Sequence, residues 1–285
     1  LRTMAIPKGN HLAIVTGASR GIGFEVCRQL NQKGVPVMMT YRDLSAEGNI
    51  SKLKELSAAT EHKTPVHFHQ LDVSSEKSIR TFTYHVFNHF RDSKLILIHN
   101  AGVYLDRWNK SNFDTSMKTH VHGPVQLTSE LIPLMKSNHY GKIINVTTGY
   151  GKLKYLSPKY KDVLDHPWEQ EGVVTESTWN YVTEKVEFDP EDIMSNEYKP
   201  TYKVSKATMN VWTRIYAQHL KYSKLDKFIS VNAVDPGWVQ TEMGGEGAPE
   251  PVEAGADTIV WLATSDSDPP VSGKWFYKRQ EVKGW

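Results

Sequence analysis

Thr16-Gly17-Ala18-Ser19-Arg20-Gly21-Ile22-Gly23 follows an apolar run, Leu12 to Val15, and opens a helix pattern, Phe24-Glu25-Val26-Cys27-Arg28-Gln29-Leu30. The order strand, glycine turn, helix gathers bare backbone N–H groups and a helix N-terminus at one point, which suits a pyrophosphate. Gly17 can take a backbone conformation closed to other residues, and Gly21 lets a ligand come close to the chain. Gly23 lets the helix sit tightly on the strand. The spacing is T-G-x-x-x-G-x-G rather than G-x-G-x-x-G, and taken alone the octapeptide also fits an ordinary strand-to-helix loop.

At 285 residues the chain can form one large α/β domain with a substantial core. A formal charge of +2 demands neither nucleic acid nor an anionic membrane as partner. The single cysteine, Cys27, precludes an internal disulfide and fits a reducing, cytoplasmic setting. Its place in the first helix pattern points to packing rather than chemistry. No apolar run approaches membrane-spanning length, and the first ten residues hold no apolar signal core.

Gly34 closes the first helix, and Val35-Pro36-Val37-Met38-Met39-Thr40-Tyr41 reads as a second strand. In a dinucleotide fold an acid at the end of this strand binds the ribose 2′-hydroxyl of NAD. Here the strand runs into Arg42-Asp43. A guanidinium at Arg42 can fork a 2′-phosphate while Arg20 grips it from the glycine loop, which favours NADP(H). The competing reading gives Asp43 the ribose and leaves Arg42 a solvated charge.

Ser45 to Glu61 reads as a helix, and Val66 to Leu71 as a third strand closing with Asp72-Val73. Ser75 to Arg91 places Ile79, Phe82, Val86 and Phe90 on one buried helix face. His85 and His89 have metal-ligand spacing there, but no third ligand is evident nearby and no metal site is expected. Leu95 to Ile98 is a continuous apolar strand of the kind covered on both faces. It ends at Asn100-Ala101-Gly102, small residues at the sheet edge where ligands bind.

A helix from Lys118 to Lys136 and a fifth strand from Gly141 to Thr147 follow. From about 149 to 200 the chain is rich in acids and aromatics. A structureless loop of that size is unusual, so this stretch reads as an added helical lid. Thr201-Tyr202-Lys203-Val204-Ser205-Lys206 then begins a helix running to about Tyr222. Residues four apart share a helix face, so Tyr202 and Lys206 stand side by side. A free tyrosine titrates near about pH 10, and a neighbouring ammonium should lower that toward working pH. Lys227 to Val234 is a sixth strand, 242–251 a Gly/Pro-rich flap, Val252 to Leu262 a last helix and Gly273 to Tyr277 a seventh strand.

Thr16–Gly23, Asn100–Gly102, Thr148, Tyr202–Lys206 and Pro236-Gly237, in that order between Leu12 and Tyr277, together resemble the short-chain dehydrogenase/reductase family. The long insertion, the Pro236 to Thr241 stretch and the aromatic C-terminal Lys274 to Trp285 are most similar to its monomeric NADPH-dependent carbonyl reductases. The resemblance implies an α/β fold, a Rossmann-type doubly wound parallel seven-stranded sheet in the order 3-2-1-4-5-6-7. It would form a single domain over 1–285, with a helical insertion before the Tyr-x-x-x-Lys helix. It also implies that Gly17, Ser19, Arg20, Gly21, Ile22, Gly23 and Arg42 hold NADPH or NADP+, with Asp72 and Val73 at the adenine. Asn100, Ala101, Gly102, Tyr202, Lys206, Pro236 and Gly237 complete that set, and Val239 and Thr241 hold the carboxamide.

The implied reaction is reduction of an apolar ketone, aldehyde or quinone, with Tyr202 as proton donor and Lys206, Thr148 and His120 as its catalytic companions. Two positions depart from the family pattern. His120 stands where an asparagine is usual, and Thr148 where a serine is usual. A backbone carbonyl survives the first change, and a threonine hydroxyl donates the same bond after the second. Thr148, Tyr150, Tyr202, Trp238 and Met243 are expected at the substrate, with Tyr104 or Trp108 as further aromatic walls. The partner is a small carbonyl compound, with no nucleic acid and no membrane, and the insertion implies a monomer. Two other readings are a dinucleotide-binding sensor with little turnover and an alcohol dehydrogenase running in the oxidative direction.

Overall fold

Strand β1 (His11–Val15) is buried along its whole length, and its side chains divide between two cores. Leu12 and Ile14 enter one, Ala13 and Val15 the other. The same alternation runs through β2 (Val37–Tyr41), β4 (Lys94–His99), β5 (Gly141–Val146) and β6 (Ile229–Asp235), as a sheet covered on both faces requires. Helices α1 (Gly21–Gln32) and α7 (Val252–Thr264) cover one face through Val26, Leu30, Ile259 and Val260. Helices α2 (Glu76–His89), α4 (Gly123–Ser137) and α6 (Pro200–Tyr222) cover the other through Phe82, Leu127, Leu131 and Trp212. The computed structural model describes residues 10–43, 51, 58, 64–165, 182, 185–267 and 270–283. The expected helix from Ser45 to Glu61 falls almost wholly outside them.

The sheet order is β3-β2-β1-β4-β5-β6-β7-β8, with β3 at Val66–Gln70, β7 at Trp275–Tyr277 and β8 at Gln280–Glu281. The first seven strands are parallel and follow the expected order. β8 is an addition, antiparallel to β7. Its turn is Lys278-Arg279, both at positive φ (47° and 60°). Hairpin turns of this kind are signalled by Asn-Gly or Asp-Gly, so Lys-Arg hides it from the sequence. Lys278 reaches Glu250 at 2.8 Å and Arg279 grips Asp257, which helps to hold the turn.

The helix expected from Lys118 begins earlier. Helix α3 (Lys110–Met117) is capped by Asn109, whose side chain accepts the Asn112 N–H at 2.9 Å. It passes through one π turn, Lys118–His122, into α4. Gly123 ends that turn against β3's exit: a Cβ there would stand 1.8 Å from the Val73 carbonyl oxygen.

The described part of the insertion contains two 3₁₀ turns, helix α5 (Pro158–Leu164) and a 3₁₀ turn at Ile193–Asn196. Seven residues are too few for a free-standing helix. Tyr160 and Leu164 are fully buried, each gaining about 1.5–3 kcal/mol, and this docks the segment. Among the described residues no helix is long and apolar enough to cross a membrane.

Candidate active site

Strands β1 and β4 are neighbours while β2 lies on the other side of β1, so the crevice at their C-terminal ends is the fold's ligand position. Gly17 and Gly21 have φ of 61° and 55°, as the tight turn requires. A Cβ on Gly17 would meet the Ala101 Cα at 2.8 Å, and one on Gly23 the Asn100 side chain at 2.4 Å. Helix α1 starts at Gly21 with no side-chain cap and no acid in its first turn. Its first N–H groups therefore remain available to an anion, and the cradle fits a dinucleotide phosphate.

Thr16, which carried no assigned role, joins the two glycine motifs. Its hydroxyl accepts the N–H groups of Asn100 and Ala101, each at 3.0 Å. The Asn100 amide donates back to the carbonyls of Thr16 (2.9 Å) and Gly17 (3.0 Å). Asp72 accepts from the Ser74 N–H at 2.9 Å, while Ser75 caps α2. Arg20 and Arg42 each stand near an acid. Arg20 pairs at 2.5 Å with Glu242, and the Arg42 Nε lies 3.9 Å from Asp43. Both guanidiniums are exposed. Thr241 packs its methyl about Gly21, so the base of the flap rests on the glycine loop.

Tyr202 and Lys206 lie on the first turns of α6, with the ammonium 5.7 Å from the phenol ring centre. Lys206 is buried and donates to the Val146 carbonyl at 2.8 Å. Burial lowers its pKa to about 8. The phenol of Tyr202 moves the other way from the expectation. Burial first, and then the negative charge of Asp235, push it above the ordinary tyrosine range. The neighbouring ammonium does not outweigh these two effects, and the phenol stays protonated at neutral pH.

His120 lies on the π turn, buried, with its ring 5.5 Å from that of Tyr202. Its Nε2 accepts the Val103 N–H at 3.0 Å, which places the proton on Nδ1. Nδ1–H then donates to Ser205 Oγ at 2.8 Å, and Ser205 donates to the Thr201 carbonyl at 2.8 Å. Both ring nitrogens are occupied, and burial holds the imidazole neutral, its pKa well below the usual value. Gly102 makes room: a Cβ there would be 3.3 Å from Nε2.

Thr148 follows β5 and its Oγ1 accepts the Tyr150 N–H at 3.4 Å, leaving its own O–H free to donate. Tyr104 packs edge-on to Tyr202 at 6.0 Å. The Lys199 ammonium sits 4.7, 5.0 and 4.7 Å from the ring centres of Tyr104, Tyr150 and Tyr198, holding three segments together. Lys199 precedes Pro200 at φ 57°, a strained junction at the head of the helix that bears Tyr202.

The sequence does not mark this clasp, nor Ser205, whose partner lies 85 residues away. Trp238 is 58 % exposed and donates to the Gly244 carbonyl of the flap, and Met243, 50 % exposed, lies within the flap itself. Trp108 seals the insertion. It packs with Phe113, Tyr160 and Phe188 and donates to the Asp189 carbonyl at 2.8 Å. His85 and His89 stack at 4.4 Å, and no metal-binding group of three or more ligands occurs among the described residues.

The family model described as short chain dehydrogenase matches residues 11–159. The chain is 33% identical over 283 residues to "Carbonyl reductase [NADPH] 1" of Sus scrofa, covering 96% of this chain and 94% of that one. It is 31% identical to a (+)-neomenthol dehydrogenase of Arabidopsis thaliana, over 94% of this chain and 96% of the other. Among solved structures, salutaridine reductase from Papaver somniferum superposes with a TM-score of 0.76 at 27% identity, covering 93% and 99% of the two chains. The family match over more than half the chain agrees with the stitched glycine loop and the Tyr202–Lys206 pair: this chain belongs to the short-chain dehydrogenase/reductase family.

Proposed function

We propose that this protein reduces carbonyl compounds to alcohols with NADPH, Tyr202 giving the proton. The observation that carries the reading is the Tyr202–Lys206 pair, with the buried ammonium 5.7 Å from the centre of the half-buried phenol ring. A phenol that holds its proton can give it to a carbonyl oxygen as charge grows there, and the same group takes it back when the reaction runs in reverse. NADPH, when bound, supplies the hydride. The first turn of α1, with Gly17 and Gly21, would hold its diphosphate. Arg20 and Arg42 would hold the 2′-phosphate, and Asn100, Pro236, Gly237, Val239 and Thr241 would line the nicotinamide side.

As negative charge grows on the substrate oxygen, Thr148 donates a hydrogen bond and Tyr202 a proton. Lys206 keeps N–H groups beyond the one given to Val146, and these suit ribose hydroxyls. In this reading the main-chain carbonyl of His120 on the π turn would hold a water that returns a proton through Lys206, because its ring is committed to Val103 and Ser205.

The rings of Tyr104 and Tyr150 support an apolar or aromatic ketone, aldehyde or quinone. The insertion buries Tyr160, Leu164 and Met194 in the core that α6 shares, which supports a monomer, to be checked by light scattering. We place the enzyme in the cytoplasm on its single, buried cysteine. Loss of NADPH absorbance with a panel of quinones, aldehydes and ketones tests the activity. Tight NADPH binding with no consumption across the panel would instead favour a sensor.

A further inference from the structure

Asp235, the last residue of β6, is a charged side chain that the proposed mechanism does not use. Its Oδ1 accepts the Gly237 N–H at 2.9 Å. The Gly149 backbone packs against the other oxygen, Oδ2 lying 3.1 Å from where a Cβ on Gly149 would stand, with the Gly149 N–H on the side of the carboxylate. Gly149 directly follows Thr148, and Gly237 directly follows Pro236. One carboxylate therefore joins the turn leaving β5 to the turn leaving β6. An uncharged side chain of the same length accepts only one of these two donors well.

We propose that Asp235 is a positioning residue of the reductase site, holding the Thr148 turn and the Pro236-Gly237 turn at the spacing that hydride and proton transfer need. The proposal rests on the carbonyl-reductase reading. A second consequence follows from charge. The groups facing Tyr202 are Lys206 on its own helix, His120 on the π turn, Tyr104 on the β4–α3 loop and Asp235 on β6. Of these only Asp235 is an acid, and its carboxylate favours the protonated phenol, while the Lys152 cation favours the ionised carboxylate.

The test is Asp235→Asn, assayed for kcat, KM for NADPH, melting temperature and the pH profile. Because misplacement near 1 Å can cost about 10²-fold, kcat should fall by roughly ten- to a hundredfold with KM for NADPH within a few-fold of wild type. The basic limb of the kcat profile should move to lower pH, and the deficit should widen as pH rises.

Should Asp235→Asn fail to fold, Gly149→Ala displaces the same turn while keeping the charge, and predicts a lower kcat with an unmoved basic limb. Wild-type kcat in either folded variant would overturn the positioning role. An unmoved basic limb in a folded Asp235→Asn would overturn the charge effect. A wild type inert toward every carbonyl would instead overturn the reductase reading. Amide exchange at Gly149 and Gly237 would then still test the tie, faster exchange in Asp235→Asn supporting it and equal exchange overturning it.

Discussion

Replacing His120 separates a structural ring from a catalytic one. His120→Ala leaves the Val103 N–H and the Ser205 hydroxyl without their present partners, at about 1–3 kcal/mol each, and opens a cavity besides. A total of about 3–6 kcal/mol lowers the melting temperature by roughly 5–10 °C for a chain of this size. His120→Asn keeps a donor and an acceptor and should cost about 1–2 kcal/mol at pH 7.

The pH dependence is sharper. The folded protein holds His120 neutral, below its unfolded value, so the stabilisation is complete above about pH 6.5 and is lost as pH falls. Below that point the unfolded chain binds a proton that the folded one refuses, at about 1.4 kcal/mol per pH unit. His99, pushed down to about 3 by burial, acts in the same way in both proteins. The difference between wild type and His120→Asn isolates His120. In urea titrations the variant should be less stable at pH 7, and because wild type loses about 2 kcal/mol relative to it by pH 5, the gap should close or reverse. An unchanged gap, or a variant of wild-type stability with kcat abolished, would refute the reasoning.

Thr148→Val removes a hydroxyl and keeps the shape; kcat should fall by about 10²–10³-fold, while Thr148→Ser stays within about tenfold, both by steady-state assay. Glu242→Gln frees Arg20 from an exposed carboxylate, so KM for NADPH should fall by about two- to fivefold with NADH unmoved, whereas Arg20→Ala should weaken NADPH selectively. Gly17→Ala forces a side chain onto φ 61° with its Cβ 2.8 Å from Ala101 Cα. Thermal denaturation should show about 2–4 kcal/mol of lost stability, and calorimetry a loss of NADPH affinity.

The strand order was legible because each parallel strand is an apolar run bounded by turn residues, and because the glycine turn fixes which strand comes first. β8 was not, since two non-glycine residues occupy positive-φ positions in its turn. The early start at Lys110 was hidden by the weakly amphipathic sequence KSNFDTSM, which the Asn109 cap and packing hold helical. At the site, helix spacing alone put Tyr202 beside Lys206. It could not show that burial and Asp235 oppose the ammonium, because Asp235 lies 33 positions away and meets Tyr202 only through the fold. The roles of Ser205 and Lys199 depend on contacts between distant segments in the same way. Between Tyr104 and Trp108 the sequence did not choose, because an aromatic near the site looks the same whether it packs beside Tyr202, as Tyr104 does, or seals the insertion, as Trp108 does.

The central claim rests on Tyr202 as proton donor. The direct measurement is NADPH consumption by wild type and Tyr202→Phe on the best carbonyl of the panel, with NADPH binding followed in both. The account predicts a fall in kcat of at least about 10²–10⁴-fold with binding unchanged, because one hydroxyl is lost at the reacting oxygen. A Tyr202→Phe variant that turns over at the wild-type rate would contradict it.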